Sequence, residues 1–114
     1  MNKVFTKNDN DKTNLAILFD TPRALEEVAK VMMFGAKKYD RLNWRLVDDK
    51  ERYLSAPFRH IMLGYAQGEQ LDMDSNLHHL AHAITSLLFL LEIELKKGGV
   101  YNGSNSTVQS KKNG

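Results

Sequence analysis

The stretch from Asp74 or Ser75 to Lys97 constrains this chain more than any other. It reads as one long helix, stopped by Gly98-Gly99, with Lys96 and Lys97 matched to the negative end of its dipole. Leu77, Leu80, Ile84, Leu87, Leu88 and Leu91 make one apolar stripe, while Phe89, Leu90 and Ile93 carry apolar surface round most of the cylinder. A helix that is apolar nearly all round requires cover on several sides. Lipid is not that cover, because the longest apolar run, Ala83 to Leu91, is broken by Thr85 and Ser86 and falls far short of the ~20 residues of a membrane span. Only two other helices can be read in the sequence, so the expectation is a homo-oligomer, a dimer or higher, joined through the third helix.

The first of those helices opens at Thr21-Pro22, a capping residue followed by a proline with its fixed φ, and should run to about Tyr39. Leu25, Val28, Met32, Ala36 and Tyr39 recur at helical spacing as its core stripe. Glu26 and Lys30 suit a solvent-side i,i+4 pair. Between these faces runs a mixed strip of Glu27, Val31, Phe34 and Lys38, suited to the wall of a site or an interface. The second helix is expected from about Ser55 to Gln67, with Phe58, Ile61, Met62 and Tyr65 as contacts. Pro57 belongs in a first turn, and a start nearer Lys50 would put a kink at it. Asn14 to Phe19 (NLAILF) suits either a short strand or an arm.

A length of 114 residues fits one domain, and 42% apolar with 26% charged residues fits a folded chain. We expect a flexible segment at 1–13, a helical domain at 14–97 and a flexible tail at 98–114, where Gly, Asn, Ser and Lys dominate. The fold class expected is all-α, a small bundle of about three helices completed by oligomerisation. The net charge of +2 suggests nucleic acid only until it is located. Setting aside three lysines and two aspartates before Asn14 and two lysines after Lys97 leaves eleven bases and twelve acids. The domain itself is no basic patch, so no nucleic-acid partner is expected. MNKVFTKNDNDK has no apolar stretch of a secretory signal, so a cytoplasmic protein is expected. The absence of cysteine leaves His, Asp, Glu and backbone oxygen as metal ligands.

The densest chemistry lies in GEQLDMDSNLHHLAH, Gly68 to His82, which holds three acids and three of the four histidines. On the third helix His79 and His82 stand i,i+3 and His78 and His82 i,i+4, so either pair projects from one side. Two imidazoles on adjacent turns beside carboxylates can chelate a divalent ion, and His60 is within reach on the second helix. The plainer account is a packing or capping cluster, which suits Asp72 and Asp74 better than Glu69. Glu27 and Lys38, about three turns apart on one strip, suit a metal at one end and a phosphate at the other, or else an ion pair in a dimer seam. Tyr39, Asn43 and Trp44 offer a stacking ring and an amide able to read a base edge, although Tyr39 also belongs to the core stripe. Arg59 beside His60 can grip phosphate bidentately.

ALEEVAKVMMFGAKKYDRLNW (24–44), FRHIMLGYAQGEQLD (58–72) and HLAHAITSLLFLLE (79–92) together resemble the phage-associated dATP/dGTP diphosphohydrolase N-terminal domain family, linked with MazG-like pyrophosphohydrolases. Its recurring features, E-V-A-x-V-x-x-F-G-A-x-K-Y, N-W, R-H, G-E-x-x-D and H-L-x-H-A, fall here on Glu27, Gly35, Lys38, Tyr39, Asn43, Trp44, Arg59, His60, Glu69, Asp72, His79 and His82. The resemblance implies cleavage of a purine deoxynucleoside triphosphate, dGTP or dATP, to monophosphate and pyrophosphate with a divalent metal, Mg²⁺ or Mn²⁺. Combined with the residue reading, it leads us to expect Glu27, Glu69, Asp72, His79 and His82 around the metal. Lys38, Tyr39, Asn43, Trp44 and Arg59 would then bind substrate, with catalysis by Glu27, Glu69 and His60. The family carries S-G where this chain has Ser75-Asn76, and asparagine tolerates left-handed backbone, so the turn should keep its geometry. The E-x-x-E of MazG-type enzymes is not reproduced, since Lys30 follows Glu27 at i+3. Two other readings stand beside the enzyme: a phage-type sponge that sequesters a nucleotide or cyclic oligonucleotide, and a plain helical interaction module.

Overall fold

The computed structural model describes residues 12–46 and 48–98, and the expected tails lie almost wholly outside these. The described chain is all-α, and its one extended contact is an isolated antiparallel bridge between Leu71 and His78. Helix α1 spans Pro22–Tyr39, as Thr21-Pro22 predicts. Helix α2 spans Lys50–Phe58, and α3 spans His79–Gly98. Both α1 and α2 pack on α3, which is the centre of the arrangement. No described helix is long and apolar enough to cross a membrane.

The second helix begins earlier than expected, because Asp49 caps it by accepting a hydrogen bond from the Glu51 N–H. Pro57 therefore sits inside it, lacking the N–H that would continue the ladder. The helix does not stop there. It widens into a π-helical segment, Arg59–Gly64, and tightens again over Tyr65–Gln67. Prolines and π-turns are both places where a helix departs from straight α geometry.

Gly68 then ends it in the left-handed region, φ 94°. The Gly68 N–H donates to Tyr65 O at 3.0 Å and the Glu69 N–H to Gly64 O at 3.0 Å, the paired bonds of a Schellman stop. The third helix begins later than expected, at His79. Asn76 has φ 62°, the left-handed backbone anticipated for it and one that no helix interior accommodates. Asp72 and Ser75 spend their hydrogen bonds on the intervening turn, and His78 caps α3 by accepting from the Leu80 N–H through Nδ1 at 3.0 Å.

Burial also departs from the expected stripes. On α1 the buried residues are Val28 and Val31, whereas Leu25, Met32 and Tyr39 are exposed. The mixed strip of Glu27, Val31, Phe34 and Lys38 thus turns inward more than the supposed core face. On α3 the buried side chains are the small Ala81, Ala83 and Thr85, together with His79. Small residues allow close helix approach, and they leave Ile84, Leu87, Leu88 and Leu91 facing outward. Phe58, Met62 and Tyr65, expected as contacts, are exposed as well, and only Ile61 of that set is half-buried. The NLAILF segment is neither strand nor packed arm: Leu15–Asp20 forms a 3₁₀ turn whose apolar side chains are exposed. Lys30 pairs with Glu27 at 2.9 Å and not with Glu26.

Nothing lies within 4 Å of where a Cβ would stand on Gly68, so a side chain there meets only backbone strain. Gly68→Ala should lower stability by about 1 kcal/mol, the scale of left-handed backbone for an L-residue. Urea denaturation of the two proteins measures this, and equal midpoints would contradict the role given to Gly68.

Candidate functional site

The two irregular elements just described, the π-helical segment and the turn 69–78, deliver their side chains to the first turn of α3. From the π-helical segment, His60 brings Nδ1 to 2.8 Å from Nδ1 of His79. The other nitrogen of His79, Nε2, lies 2.8 Å from Glu69 Oε1. A carboxylate accepts, so Nε2 of His79 carries the proton and Nδ1 presents its lone pair toward His60. His82 stacks on the His60 ring, centroids 4.6 Å apart and planes within 8°. Nε2 of His82 meets Ser75 Oγ at 2.7 Å, and that hydroxyl donates to Asp72 Oδ2 at 3.0 Å. The Ser75 and Leu77 N–H groups complete the network, donating to Asp72 Oδ2 and Ser75 Oγ.

One donor atom from each of His60, Asp72 and His79 lies within 4.8 Å of the other two, which makes these three, among the described residues, the group able to share one ion. Of the five residues expected around a metal, Asp72 and His79 belong to this group. Glu69 and His82 touch it through a histidine and a serine. Glu27 is paired with Lys30. His60, expected as a catalytic group, stands in the middle of the cluster. His78 faces Tyr65, ring centroids 5.9 Å apart, and does not join it.

Beside the cluster a cleft of about 580 Å³ opens between α1, the 40–44 loop, α2 and α3. Lys38, Tyr39, Asn43 and Trp44 all line it, as the sequence suggests, and His82 forms the wall it shares with the histidine cluster. The floor is aromatic. Trp44 stacks on Phe89 with centroids 4.4 Å apart and planes within 3°, and Tyr53 meets Phe89 edge-on at 6.2 Å. The Tyr53 hydroxyl donates to Trp44 O at 3.1 Å. Arg45 lies over the indole at 5.5 Å, and Tyr39 is an exposed ring of the lining. Lys38 is held at the rim by Asp74 at 3.5 Å and by the Phe34 and Tyr39 rings. Arg59 points along its own helix to Ser55 at 3.4 Å and is not part of the lining.

Arg52, Tyr53, Phe89 and Ser75 escaped the sequence reading. The first three sit in helices whose periodicity announces only packing. Ser75 is legible only as the start of the third helix and as part of the Ser75-Asn76 turn.

An all-α domain that gathers imidazoles and carboxylates at the edge of an aromatic-floored cleft belongs to the class of helical small-molecule sites built between facing helices. The chain is a member of the dATP/dGTP diphosphohydrolase N-terminal family, whose profile matches residues 3–102. A dATP/dGTP diphosphohydrolase of Salmonella phage PMBT28 is 39% identical over 84 residues, covering 74% of this chain and 28% of that protein. The chain therefore spans less than a third of the length of this curated relative. No solved structure matches it.

Burial holds the His60 and His82 imidazoles below their ordinary range. On His60 the charge of His82 adds to this effect and that of Asp72 opposes it, with smaller contributions from His79 and Arg59. Burial pushes the Asp72 carboxyl up, but the N–H and O–H of Ser75 outweigh it and bring the group below its ordinary value. In the unfolded chain histidine titrates near ~6.5. Below that value the unfolded chain takes up protons that folded His60 and His82 refuse, so stability falls with pH. Asp72 adds a second loss at lower pH, as it protonates through its depressed folded value. The melting temperature of chelator-treated protein should decline between about pH 7 and pH 5, and His82→Gln should flatten that decline. A wild-type profile flat over this range would contradict the assignment.

Proposed function

We propose that this domain binds a purine deoxynucleoside triphosphate, dGTP or dATP, and supports its metal-dependent hydrolysis to monophosphate and pyrophosphate. The observation that carries this reading is the convergence of His60, Asp72 and His79 beside His82, which lines a cleft with a cationic rim. The donor set fits a divalent ion, because ligation requires neutral imidazole and ionised carboxylate. Those are the forms favoured at His60 and Asp72 near neutral pH. His60, Asp72 and His79 would hold the ion, with Mg²⁺ and Mn²⁺ the first candidates. Such an ion would supply Lewis-acid polarisation of the triphosphate.

The chain's own residues account for the rest. Lys38 neutralises phosphate charge at the rim, and Asp74 keeps its ammonium there between substrates. Tyr39 and Asn43 offer a ring face and an amide to the base, over the floor made by Trp44, Phe89 and Tyr53. His82 stands between base cleft and ion cluster, where it orients Asp72 through Ser75. Glu27 and Arg59 are assigned no contact with substrate in this reading. The family membership and the name of the phage relative support the substrate class.

The domain is further proposed to be a homo-oligomer, since Ile84, Leu87, Leu88 and Leu91 on α3 are exposed in the protomer. Light scattering at micromolar concentration should give at least a dimer mass, and a monomer would refute this.

For the activity, the protein is incubated with each dNTP and Mg²⁺ or Mn²⁺, and the products are separated. Monophosphate and pyrophosphate from dGTP or dATP are expected. Asp72→Asn should reduce turnover at least 100-fold, the order found when a group acting directly at the reacting centre is removed. Nucleotide binding without any monophosphate would replace hydrolysis by sequestration.

A further inference from the structure

Glu69 is expected from its motif to bind metal or act in catalysis. Its position argues for a different task. The Schellman stop at Gly68 fixes the Glu69 backbone, because its N–H is bonded to Gly64 O at 3.0 Å. The carboxylate then meets Nε2 of His79 at 2.8 Å, while the His79 ring is itself buried. Glu69 stays half-exposed, and it does not belong to the group whose donors converge. Gly64 completes the seat. A Cβ there would stand 2.5–2.7 Å from Nε2, Cδ2 and Cε1 of the His79 ring, closer than packed atoms allow. The imidazole therefore lies flat against bare backbone, with one nitrogen on Glu69 and the other 2.8 Å from His60 Nδ1.

Taken with the proposed metal reading, on which it rests, this geometry leads us to infer that Glu69 and Gly64 are positioning residues for His79. Glu69 accepts the Nε2 proton and so fixes the tautomer in which Nδ1 is the ligating nitrogen. Gly64 supplies the space in which the ring takes that orientation. Carboxylates bound to the far nitrogen of a metal-ligating histidine act in this way, raising its basicity and locking the ring. Separations of about 3 Å are normal between two nitrogens on one ion at ~2.1 Å from each. The 2.8 Å between the two Nδ1 atoms is close to that, so an ion beside the line joining them would take the place of the hydrogen bond, the two rings turning toward it and the His60 Nδ1 proton leaving to solvent.

The test is titration of the metal-free chain with Co²⁺, followed by its visible spectrum and by calorimetry, with circular dichroism to check folding. Glu69→Gln keeps an acceptor for the Nε2 proton but loses the charge. We expect a 10- to 100-fold weaker Kd with the wild-type band positions, since the ligand set is unchanged. Gly64→Ala should weaken binding at least as much by displacing the ring. Should it fail to fold, Glu69→Gln decides alone. His79→Ala should lose the wild-type spectrum. Shifted bands in Glu69→Gln would make Glu69 a ligand and overturn the inference, as would an unchanged Kd. Failure of the wild-type chain to bind Co²⁺, Mn²⁺ or Mg²⁺ would remove the metal reading itself, and the inference with it.

Discussion

The close approach of the His79 ring to the backbone of Gly64 is the contact on which the rest of the site depends. It sets the distance between the end of the second helical stretch and the start of α3. Three features of the chain are needed to make it. Pro57 interrupts the ladder, and the π-helical segment that follows carries His60 and Gly64 to the side facing α3. Gly68 then reverses the chain within one residue, so that Glu69 returns to the same ring. The Asn76 turn finally lets α3 begin at His79, with the histidine side chain already buried. Without the left-handed residues at 68 and 76, the fifteen-residue motif could not fold back on itself in so short a span.

This explains which parts were legible in the sequence. The residue types of the site were visible, because histidines and acids crowded into Gly68–His82 have few other uses. So was the start of α1, where Pro22 acts locally, although the Thr21 hydroxyl donates to Leu18 O and makes no side-chain cap. Roles within the cluster were not visible. Helical spacing pairs His79 with His82, yet the ion-sharing group pairs His79 with His60. The reason is that His79 opens α3 and meets a neighbouring helix, while His82, one turn on, stacks over His60 and is tied to Ser75. Tertiary approach, here governed by a π-helical widening that no periodicity encodes, decides which imidazole faces which.

The same limit applies to the core stripes. Helical spacing puts Leu25, Met32, Leu87 and Leu91 on core stripes and leaves Val31, Ala81 and Ala83 off them, but the buried residues are the small ones. Helices that approach closely enough to bring His60, His79 and His82 into contact have no room for leucine between them. The larger apolar groups are therefore displaced outward. The requirement for cover that opened the sequence reading is thus not met inside the protomer, and the site and the exposed apolar faces share one cause.

A corresponding division runs through the charges. Polar partners inside the cluster are arranged in two chains, Glu69 to His79 to His60 and Asp72 to Ser75 to His82, joined by the stacked His60 and His82 rings. Each chain ends in one carboxylate, so two carboxylates face three imidazoles, and burial disfavours protonation of His60 and His82. A cation entering there would meet the two carboxylates and the lone pair of His79 Nδ1, with the proton on His60 Nδ1 the one to be displaced. Lys38, by contrast, is kept at the cleft rim by Asp74, outside both chains. Its charge is available to an anion lying in the cleft and is far less felt by a cation in the cluster, since Asp74 compensates it locally. On the proposed reading, the two halves of a metal–triphosphate complex would find opposite potentials on either side of His82, so that neither charge would be buried uncompensated.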